Sequence, residues 1–143
     1  MCGIIGYVGG RPCEEILVAG LEKLEYRGYD SAGVAMLGGG GIEKVRAVGN
    51  LAKLKEALAQ DGPNGPGDPA EGGFTGIAHT RWATHGRVTE ANAHPHADET
   101  GAVQIVLNGI VENHAELRAA LEAEGRTFSS ETDAEGGAHL IAR

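Results

Sequence analysis

The first residue that could do chemistry is Cys2, which directly follows the initiator methionine and precedes the apolar run GIIGYV. A cysteine serves either in packing or through the reactivity of its thiol, and chain ends pack poorly because they fray unless other contacts fix them. Cys2 is therefore either an incidental small residue or a nucleophile at the start of the chain. A disulfide with Cys13 is a further alternative, which a reducing cytoplasm disfavours.

Five further stretches are too polar for the strands and turns that surround them. They are EYRGYDSAG (25–33), HTRWATHG (79–86), NAHPH (92–96), NGIVENH (108–114) and SETDAE (130–135). Each has a structural alternative, such as a plain turn, a half-exposed strand, a loop, an Asn-Gly hairpin or a helix cap. Together with a thiol, however, they contain the groups needed for a nucleophile, a carboxylate clamp, an oxyanion hole and an ammonium acceptor.

The six histidines raise the question of a metal site. His79 with His85, or His94 with His96, are candidate ligand pairs. The sequence nevertheless contains no Cys-x-x-Cys or His-Glu-x-x-His spacing, which structural and catalytic zinc sites commonly use. We therefore expect no metal and no other cofactor.

The elements that must position these residues form an α+β pattern. Runs of β-forming residues predict strands over 3–8, 33–37, 42–48, 74–79, 103–107 and 127–129, of which the charged 42–48 is an edge strand. Apolar residues at helical spacing predict a helix over about 13–25 that Gly28 terminates, and further helices capped by Asn50 and Asn113. A last helix begins with a capping box from Thr132 to Glu135, and Gly136 and Gly137 should weaken it.

Residues 61–73, DGPNGPGDPAEGG, contain no side chain able to drive a core and predict a mobile loop or linker. Short strands follow at once, so we interpret this segment as a surface insertion within one domain. A chain of 143 residues is one domain by the usual size of domains.

Composition and charge exclude some classes of partner. The net charge of −8 argues against binding to nucleic acid or an anionic membrane, because both require basic patches. No apolar run approaches the length of a membrane span, and residues 1–20 lack the features of a signal peptide. We expect a cytoplasmic protein.

The quoted motifs resemble the N-terminal glutaminase domain of the glutamine–fructose-6-phosphate aminotransferase family. The resemblance extends from Cys2 to about Leu140. The start CGI-x-G is shared by all class II glutamine amidotransferases, whereas EYRGYDSAG, HTRWATHG and NAHPH are specific to the sugar-phosphate branch. The implied fold is the N-terminal-nucleophile hydrolase αββα sandwich, with two antiparallel sheets between helical layers. Residues 1–143 would be a C-terminally incomplete glutaminase domain, without the sugar isomerase domains.

The same resemblance implies roles for particular residues. After removal of Met1, Cys2 would be the nucleophile and its α-amine the base. Asn108 and Gly109 would form the oxyanion hole. The remaining expectations concern substrate binding and ammonia release: Arg81 for the glutamine α-carboxylate, Asp133 for its α-ammonium, Thr84 and His85 in the glutamine-binding loop, Trp82 as a gate or alternatively a core anchor, Arg27 and Gly28 around the nucleophile, and His94 near the ammonia exit.

The expected function is hydrolysis of the L-glutamine side-chain amide, which supplies ammonia for conversion of fructose 6-phosphate to glucosamine 6-phosphate. Fructose 6-phosphate would bind only to the missing isomerase domain, and the full-length enzyme would be a homodimer. Two alternatives remain: a truncated, inactive relative that binds glutamine or a partner chain, and another class II amidotransferase that makes phosphoribosylamine or asparagine.

Overall fold

The computed structural model describes residues 1–61 and 73–143. The predicted loop over 61–73 lies almost entirely outside these residues, so it remains a prediction. In chain order the elements are β1 (Gly3–Val8), α1 (Glu14–Glu22), a 3-10 turn (Glu25–Arg27), β2 (Ser31–Gly38), β3 (Gly41–Val48), α2 (Leu51–Asp61), β4 (Thr75–Arg81), β5 (His96–Ala97), β6 (Gln104–Ile105), α3 (His114–Ala123) and α4 (Glu135–Ile141).

The main sheet has four antiparallel strands in the order β1-β4-β2-β3. Helix α1 packs on β1 and β4, and α2 packs on β2 and β3, which together cover one face of this sheet. The core between them is apolar and is formed by Cys13, Leu17, Leu21, Val34, Met36, Leu54 and Leu58, among others. Strand β3 is at the edge, as its charged residues predicted.

A second sheet, made of β5 and β6, lies against the opposite face of the main sheet. The two sheets approach closely at Gly33, where an added Cβ would lie 2.1 Å from the carbonyl oxygen of His94. Helix α4 covers β5 and β6, and α3 packs on α4. The layers therefore run helix, sheet, sheet, helix, which confirms the predicted α+β sandwich.

Three predicted elements differ from the structure, and in the two strands among them side chains bind backbone groups that a longer strand would have used. The 103–107 strand is reduced to Gln104–Ile105, since the backbone N–H of Val103 donates to Asp98 and that of Leu107 to His94. No strand forms over 127–129, where the N–H of Ser129 donates to the Glu135 carboxylate. The first helix ends at Glu22, and a 3-10 turn follows before Gly28.

The helix caps were predicted with mixed success. Asn50 Oδ1 accepts from the N–H of Lys53 at 3.3 Å, as expected of a cap. Asn113 makes no side-chain cap bond, and the Thr132–Glu135 capping box is wrong. Thr132 Oγ1 instead pairs with His96 Nε2 at 2.8 Å, and the Glu135 carboxylate binds the N–H groups of Ser129 and Ser130.

The two glycines of α4 lie where the helix meets its neighbours. An added Cβ on Gly136 would be 3.2 Å from Leu117 Cδ2 on α3, and one on Gly137 would be 2.9 Å from Ile105 Cδ1 on β6. The glycines lower the intrinsic helix propensity of α4, but they also allow it to approach α3 and β6 closely. The predicted weakening of the helix is therefore accompanied by tight packing.

Candidate active site

A cavity of about 470 Å³ opens where β1 begins, β4 ends and the segments before α3 and α4 pass. Each of the five polar stretches contributes at least one residue to it, with His94 alone coming from NAHPH, and the start of the chain contributes Met1 and Cys2. Its lining consists of Met1, Cys2, Arg27, Arg81, Trp82, Thr84, His85, His94, Leu107, Asn108, Gly109, Ile110, Thr132 and Asp133. Every residue to which the resemblance gave a role lies on this wall except Gly28, which lies behind Trp82 with φ +74°.

Cys2 is held at the cavity by the end of β4. Its half-buried Sγ accepts a hydrogen bond from the backbone N–H of Trp82 at 3.2 Å. The ammonium group of Met1 donates to the carbonyl oxygens of Arg27 at 2.8 Å and Gly28 at 3.1 Å, so the 3-10 turn anchors the start of the chain. Cys13, in contrast, is fully buried at the start of α1, and burial raises its thiol pKa. Both thiols are free.

Arg81 organises the loop that follows β4. Its buried guanidinium donates to the carbonyl oxygens of His85, of Gly86 at 3.5 Å and of Arg87 at 3.2 Å. A guanidinium has five N–H donors, so it can hold these carbonyls and still present donors to the cavity. This arrangement places a cation beside Thr84 and His85 in the cavity wall.

The same loop is fixed to the segment that carries Asp133. The buried Asn92 donates from Nδ2 to Glu131 at 2.9 Å and to the Arg87 carbonyl at 3.0 Å, and its Oδ1 accepts from the N–H of Glu131. Hydrogen bonds from Asn92 and Arg87 lower the pKa of Glu131 to about 2. Asp133 itself is buried at the wall, and its Oδ2 accepts from the N–H of Val111 at 2.6 Å.

Trp82 does not serve as a core anchor. Its side chain is 53% exposed at the mouth of the cavity, over Gly28, so the buried alternative is wrong. Asn108 and Gly109 are also exposed to the cavity, between β6 and α3, and they do not form the turn of a hairpin. The gating and oxyanion roles stay predictions that agree with these positions.

Three buried histidines form the wall behind Asn108. The rings of His79 and His94 stack with centroids 4.2 Å apart, and His96 meets His94 edge-on at 4.5 Å. Burial is the main cause that lowers their pKa values, to about 4 for His79, about 2 for His94 and about 3 for His96. All three rings are therefore neutral near pH 7. We call His79, His94 and His96 the imidazole stack.

Sequence reasoning overlooked several residues of the site. Leu107, Ile110 and Thr132 line the cavity, and His79 binds Asn108 of its wall. Asn92 binds Arg87 and Glu131, next to the segments that form the wall. His79 and Asn92 lie inside the quoted motifs, so their signal was present, but only the fold shows which residues they contact. Among residues 1–61 and 73–143, no three His, Cys, Asp or Glu side chains form a group that could hold a metal ion.

No helix in the described part of the chain is long and apolar enough to cross a membrane.

Comparison with curated proteins gives matches that cover nearly all of this chain. A protein named glutamine–fructose-6-phosphate aminotransferase (isomerizing) from Mycolicibacterium smegmatis is 56% identical over 144 residues, which cover 100% of this chain and 23% of that protein. A protein of the same name from Gloeobacter violaceus is 54% identical, covering 99% of this chain and 22% of that protein. The chain thus spans less than a quarter of the length of these relatives.

Comparison with solved structures supports the fold. Glutamine phosphoribosylpyrophosphate amidotransferase from B. subtilis matches with a TM-score of 0.72 and 26% identity, over 100% of this chain and 29% of that one. A structure described as the allosteric regulatory enzyme of purine biosynthesis matches with a TM-score of 0.73 and 25% identity, over 100% of this chain and 30% of that one. These matches confirm the N-terminal-nucleophile type of fold.

The family itself is identified by a sequence profile. The profile described as "Glutamine amidotransferase domain" matches residues 34–143, which is most of the chain. The matched range includes the cavity residues Arg81, Asn108 and Asp133, and the matches to the curated relatives extend the similarity across Cys2. The chain therefore belongs to the glutamine amidotransferase domain family.

Proposed function

We propose that this chain hydrolyses the side-chain amide of L-glutamine through a thioester on Cys2. The observation that carries the proposal is the cavity, which brings a thiol, an arginine, an amide next to a glycine and a carboxylate to one wall. The relatives named glutamine–fructose-6-phosphate aminotransferase support the further proposal that the ammonia is used to convert fructose 6-phosphate to glucosamine 6-phosphate.

The base in this reaction is the α-amine of Cys2, which exists only after Met1 has been removed. A free α-amine has an ordinary pKa of about 7.7–8.0 and a thiol one of about 8.5, so the amine can accept the thiol proton near neutral pH. With Met1 attached, the same nitrogen is an amide and cannot act as a base. The amine then returns the proton to the departing ammonia.

Attack of the Cys2 sulfur on the amide carbon forms a C–S bond and places a negative charge on the former carbonyl oxygen. The side-chain NH₂ of Asn108 and the backbone N–H of Gly109 donate to this oxygen. Loss of one such donor typically costs about 3–4 kcal/mol of transition-state stabilisation. Breaking of the C–N bond releases ammonia, and water then hydrolyses the γ-glutamyl thioester to glutamate.

Recognition of glutamine requires both charged groups of its amino-acid end. Arg81 is the cation for the α-carboxylate, because a guanidinium can bind a carboxylate with two parallel hydrogen bonds. Asp133 is the anion for the α-ammonium, with one oxygen on Val111 N–H and the carboxylate at the cavity wall. Thr84 and His85 complete the amino-acid pocket, with Arg27 and Gly28 around the nucleophile. Trp82 at the mouth is the gate, and His94 lies towards the ammonia exit.

The acceptor of the ammonia is assigned from the degree of similarity. The curated aminotransferase relatives are more than 50% identical to this chain, whereas the phosphoribosylpyrophosphate amidotransferase structure is 26% identical. We therefore favour fructose 6-phosphate, bound by an isomerase domain outside these residues, over phosphoribosylpyrophosphate. The proposal includes a homodimeric full-length enzyme. It also includes a cytoplasmic location, where a nucleophilic thiol stays reduced.

The test is the intact mass of the purified protein after incubation with a chloroketone analogue of glutamine. We expect a chain that begins at Cys2 and gains one adduct, and excess glutamine should prevent the adduct. A matched pair of variants assigns the sulfur: Cys2→Ala should abolish both the adduct and glutamine hydrolysis, while Cys13→Ala should keep both near wild type.

Two results would contradict the proposal. Equal loss of activity from Cys2→Ala and Cys13→Ala would remove Cys2 as the sole nucleophile. Retention of Met1 without any adduct, in a protein that still binds glutamine by calorimetry, would favour the alternative of an inactive relative that binds glutamine or a partner chain.

A further inference from the structure

The Asn108 carboxamide can face the cavity in two ways. Its oxygen and nitrogen are nearly equal in size, and a rotation of 180° about the last side-chain bond exchanges them. Only the orientation with NH₂ towards the cavity can donate to an oxyanion. Because Asn108 is exposed, packing alone does not choose between the two orientations, and another group must select one.

That group is the ring of His79. Its Nε2 lies 2.8 Å from Asn108 Oδ1, a normal hydrogen-bond distance. His79 is fully buried in β4, and burial lowers its pKa to about 4, so the ring is neutral and carries a single N–H. Whether this bond orients the amide depends on which ring nitrogen has the proton.

The surroundings of His79 place the proton on Nε2. Within residues 1–61 and 73–143, the buried Nδ1 has no hydrogen-bond partner. Nδ1 is unpaired in either tautomer. A bare N–H there is the less favourable of the two, because buried N–H groups without a partner are rarer in proteins than buried acceptors without one. With the proton on Nε2, His79 donates to Asn108 Oδ1, and the NH₂ of Asn108 then points away from the ring. No hydrogen bond within the described part of the chain occupies this NH₂.

The backbone next to Asn108 is held by the second member of the imidazole stack. The N–H of Leu107 donates to His94 Nδ1 at 3.3 Å, and the His94 ring stacks on His79. On the other side of His94, His96 pairs with the hydroxyl of Thr132, which precedes Asp133. The stack thus supports the backbone and the side chain of the oxyanion donor at once.

We propose that His79 is a positioning residue for the oxyanion hole, whose Nε2–H holds the Asn108 carboxamide with its NH₂ towards the substrate, while the stacked His94 fixes the adjoining backbone. The proposal rests on glutamine hydrolysis as the function of the site. His79 itself does not touch the substrate, since it acts through Asn108. The stack as a whole joins the oxyanion hole to the segment that carries the ammonium-binding Asp133.

The test compares two amide replacements of His79. In His79→Gln the side-chain NH₂ can reach the position of Nε2, whereas in His79→Asn the shorter side chain ends near the position of Nδ1. We expect His79→Asn to lower kcat about 100-fold, the effect of losing one oxyanion donor, and His79→Gln to retain at least about a tenth of the wild-type kcat. KM for glutamine should change by less than about threefold in both, because glutamine binding in the ground state does not use the oxyanion hole.

The rate at which iodoacetamide alkylates Cys2 is a second readout. If His79 had only a structural role, the alkylation rate and kcat would fall together. Displacement of iodide forms no oxyanion, so the alkylation rate should be the same in wild type and both variants. A His79→Asn kcat within about threefold of wild type would overturn the proposal. A parallel fall of kcat and of the alkylation rate in His79→Asn, with no recovery of either in His79→Gln, would also overturn the proposal. That pattern would mean general disruption of the site.

One measurement is independent of turnover. Nitrogen NMR of the wild-type protein should show His79 as the neutral Nε2–H tautomer near neutral pH. A neutral Nδ1–H tautomer, or a charged ring, would contradict the proposal. If the wild-type protein hydrolyses no glutamine, the proposed function fails, and the tautomer of His79 still decides whether the Asn108 orientation is as inferred.

Discussion

Arg81 holds the loop that follows β4 and also lines the cavity, where we propose that it binds glutamine. Three backbone carbonyls of the loop, those of His85, Gly86 and Arg87, surround its guanidinium. A lysine ammonium is a compact charge with three donors on a flexible stem, and it cannot hold this fork of acceptors and a carboxylate in one plane.

We therefore expect Arg81→Lys to raise the KM for glutamine about 10- to 100-fold, which corresponds to about 1.5–3 kcal/mol for hydrogen bonds to a charged group. The effect on kcat at saturating glutamine should be much smaller, because the thiol and the oxyanion donors are unchanged. Steady-state hydrolysis measured over a wide glutamine range checks this. Arg11→Lys, the same change at an exposed arginine outside the cavity lining, is the control and should leave KM unchanged. An unchanged KM in Arg81→Lys would remove Arg81 from substrate binding.

At the residue scale, motifs located the side chains that reach the cavity but not those that hold them. Cys2, Asn108 and Asp133 could be selected because their types match steps of a known reaction. His79 and Asn92 have no such signature, since an imidazole or an amide in a motif is compatible with many roles. Their importance depends on contacts between residues far apart in sequence, such as His79 with Asn108 and Asn92 with Glu131.

At the scale of elements, the approach of the two sheets depends on Gly33 in β2. A Cβ at this position would lie 2.1 Å from the His94 carbonyl oxygen and 2.9 Å from Arg46 Cγ. The first contact is with backbone, which cannot move aside by changing a rotamer. Arg46 also donates to the carbonyls of Ala91 and Ala93, so the segment that carries His94 is held at this short distance.

We expect Gly33→Ala to lower the free energy of unfolding by about 3 kcal/mol, the upper part of the usual range for overpacking. Gly6→Ala in β1 is the matched control, because a Cβ there would meet nothing within 4 Å, and it should change stability by less than about 1 kcal/mol. Urea unfolding of both variants measures the difference. Equal stabilities would mean that the sheets separate at little cost.

Elements with a clear periodicity were predictable, and those limited by side-chain contacts were not. The bounds of β1 were predicted to the residue, and α2 and β3 within one residue of their starts, because an apolar pattern and local turn residues define them. The 103–107 and 127–129 strands were wrong in extent or existence, because Asp98, His94 and Glu135 bind the backbone groups there. Such competition is set by the tertiary fold and leaves no periodic signal in the sequence.

At the scale of the whole molecule, the sandwich has two interiors of different character. The layer between the main sheet and helices α1 and α2 is apolar. The layer between the two sheets contains the imidazole stack, so three neutral titratable rings are buried where the site is assembled. Folding therefore requires all three histidines to give up protons that they would hold in the unfolded chain in mild acid.

We expect this to make the protein sensitive to acid. An unfolded histidine has a pKa of about 6.5, whereas His79, His94 and His96 have folded-state pKa values of about 4, 2 and 3. Below about pH 6.5 the unfolded state binds more protons than the folded state, so the free energy of unfolding falls as pH falls. Each histidine contributes a slope of up to about 1.4 kcal/mol per pH unit. The three slopes together amount to a large fraction of the stability of a typical domain for each pH unit.

The measurement is the free energy of urea unfolding between about pH 7.5 and 5, where the slope reports the difference in bound protons between the two states. His96→Gln isolates the contribution of His96, since glutamine can keep a donor near Thr132 Oγ1 but takes up no proton. We expect this variant to lose about one proton from the slope below about pH 6. An unchanged slope would show that His96 is protonated in the folded protein, and the two sheets would then enclose a charge between them.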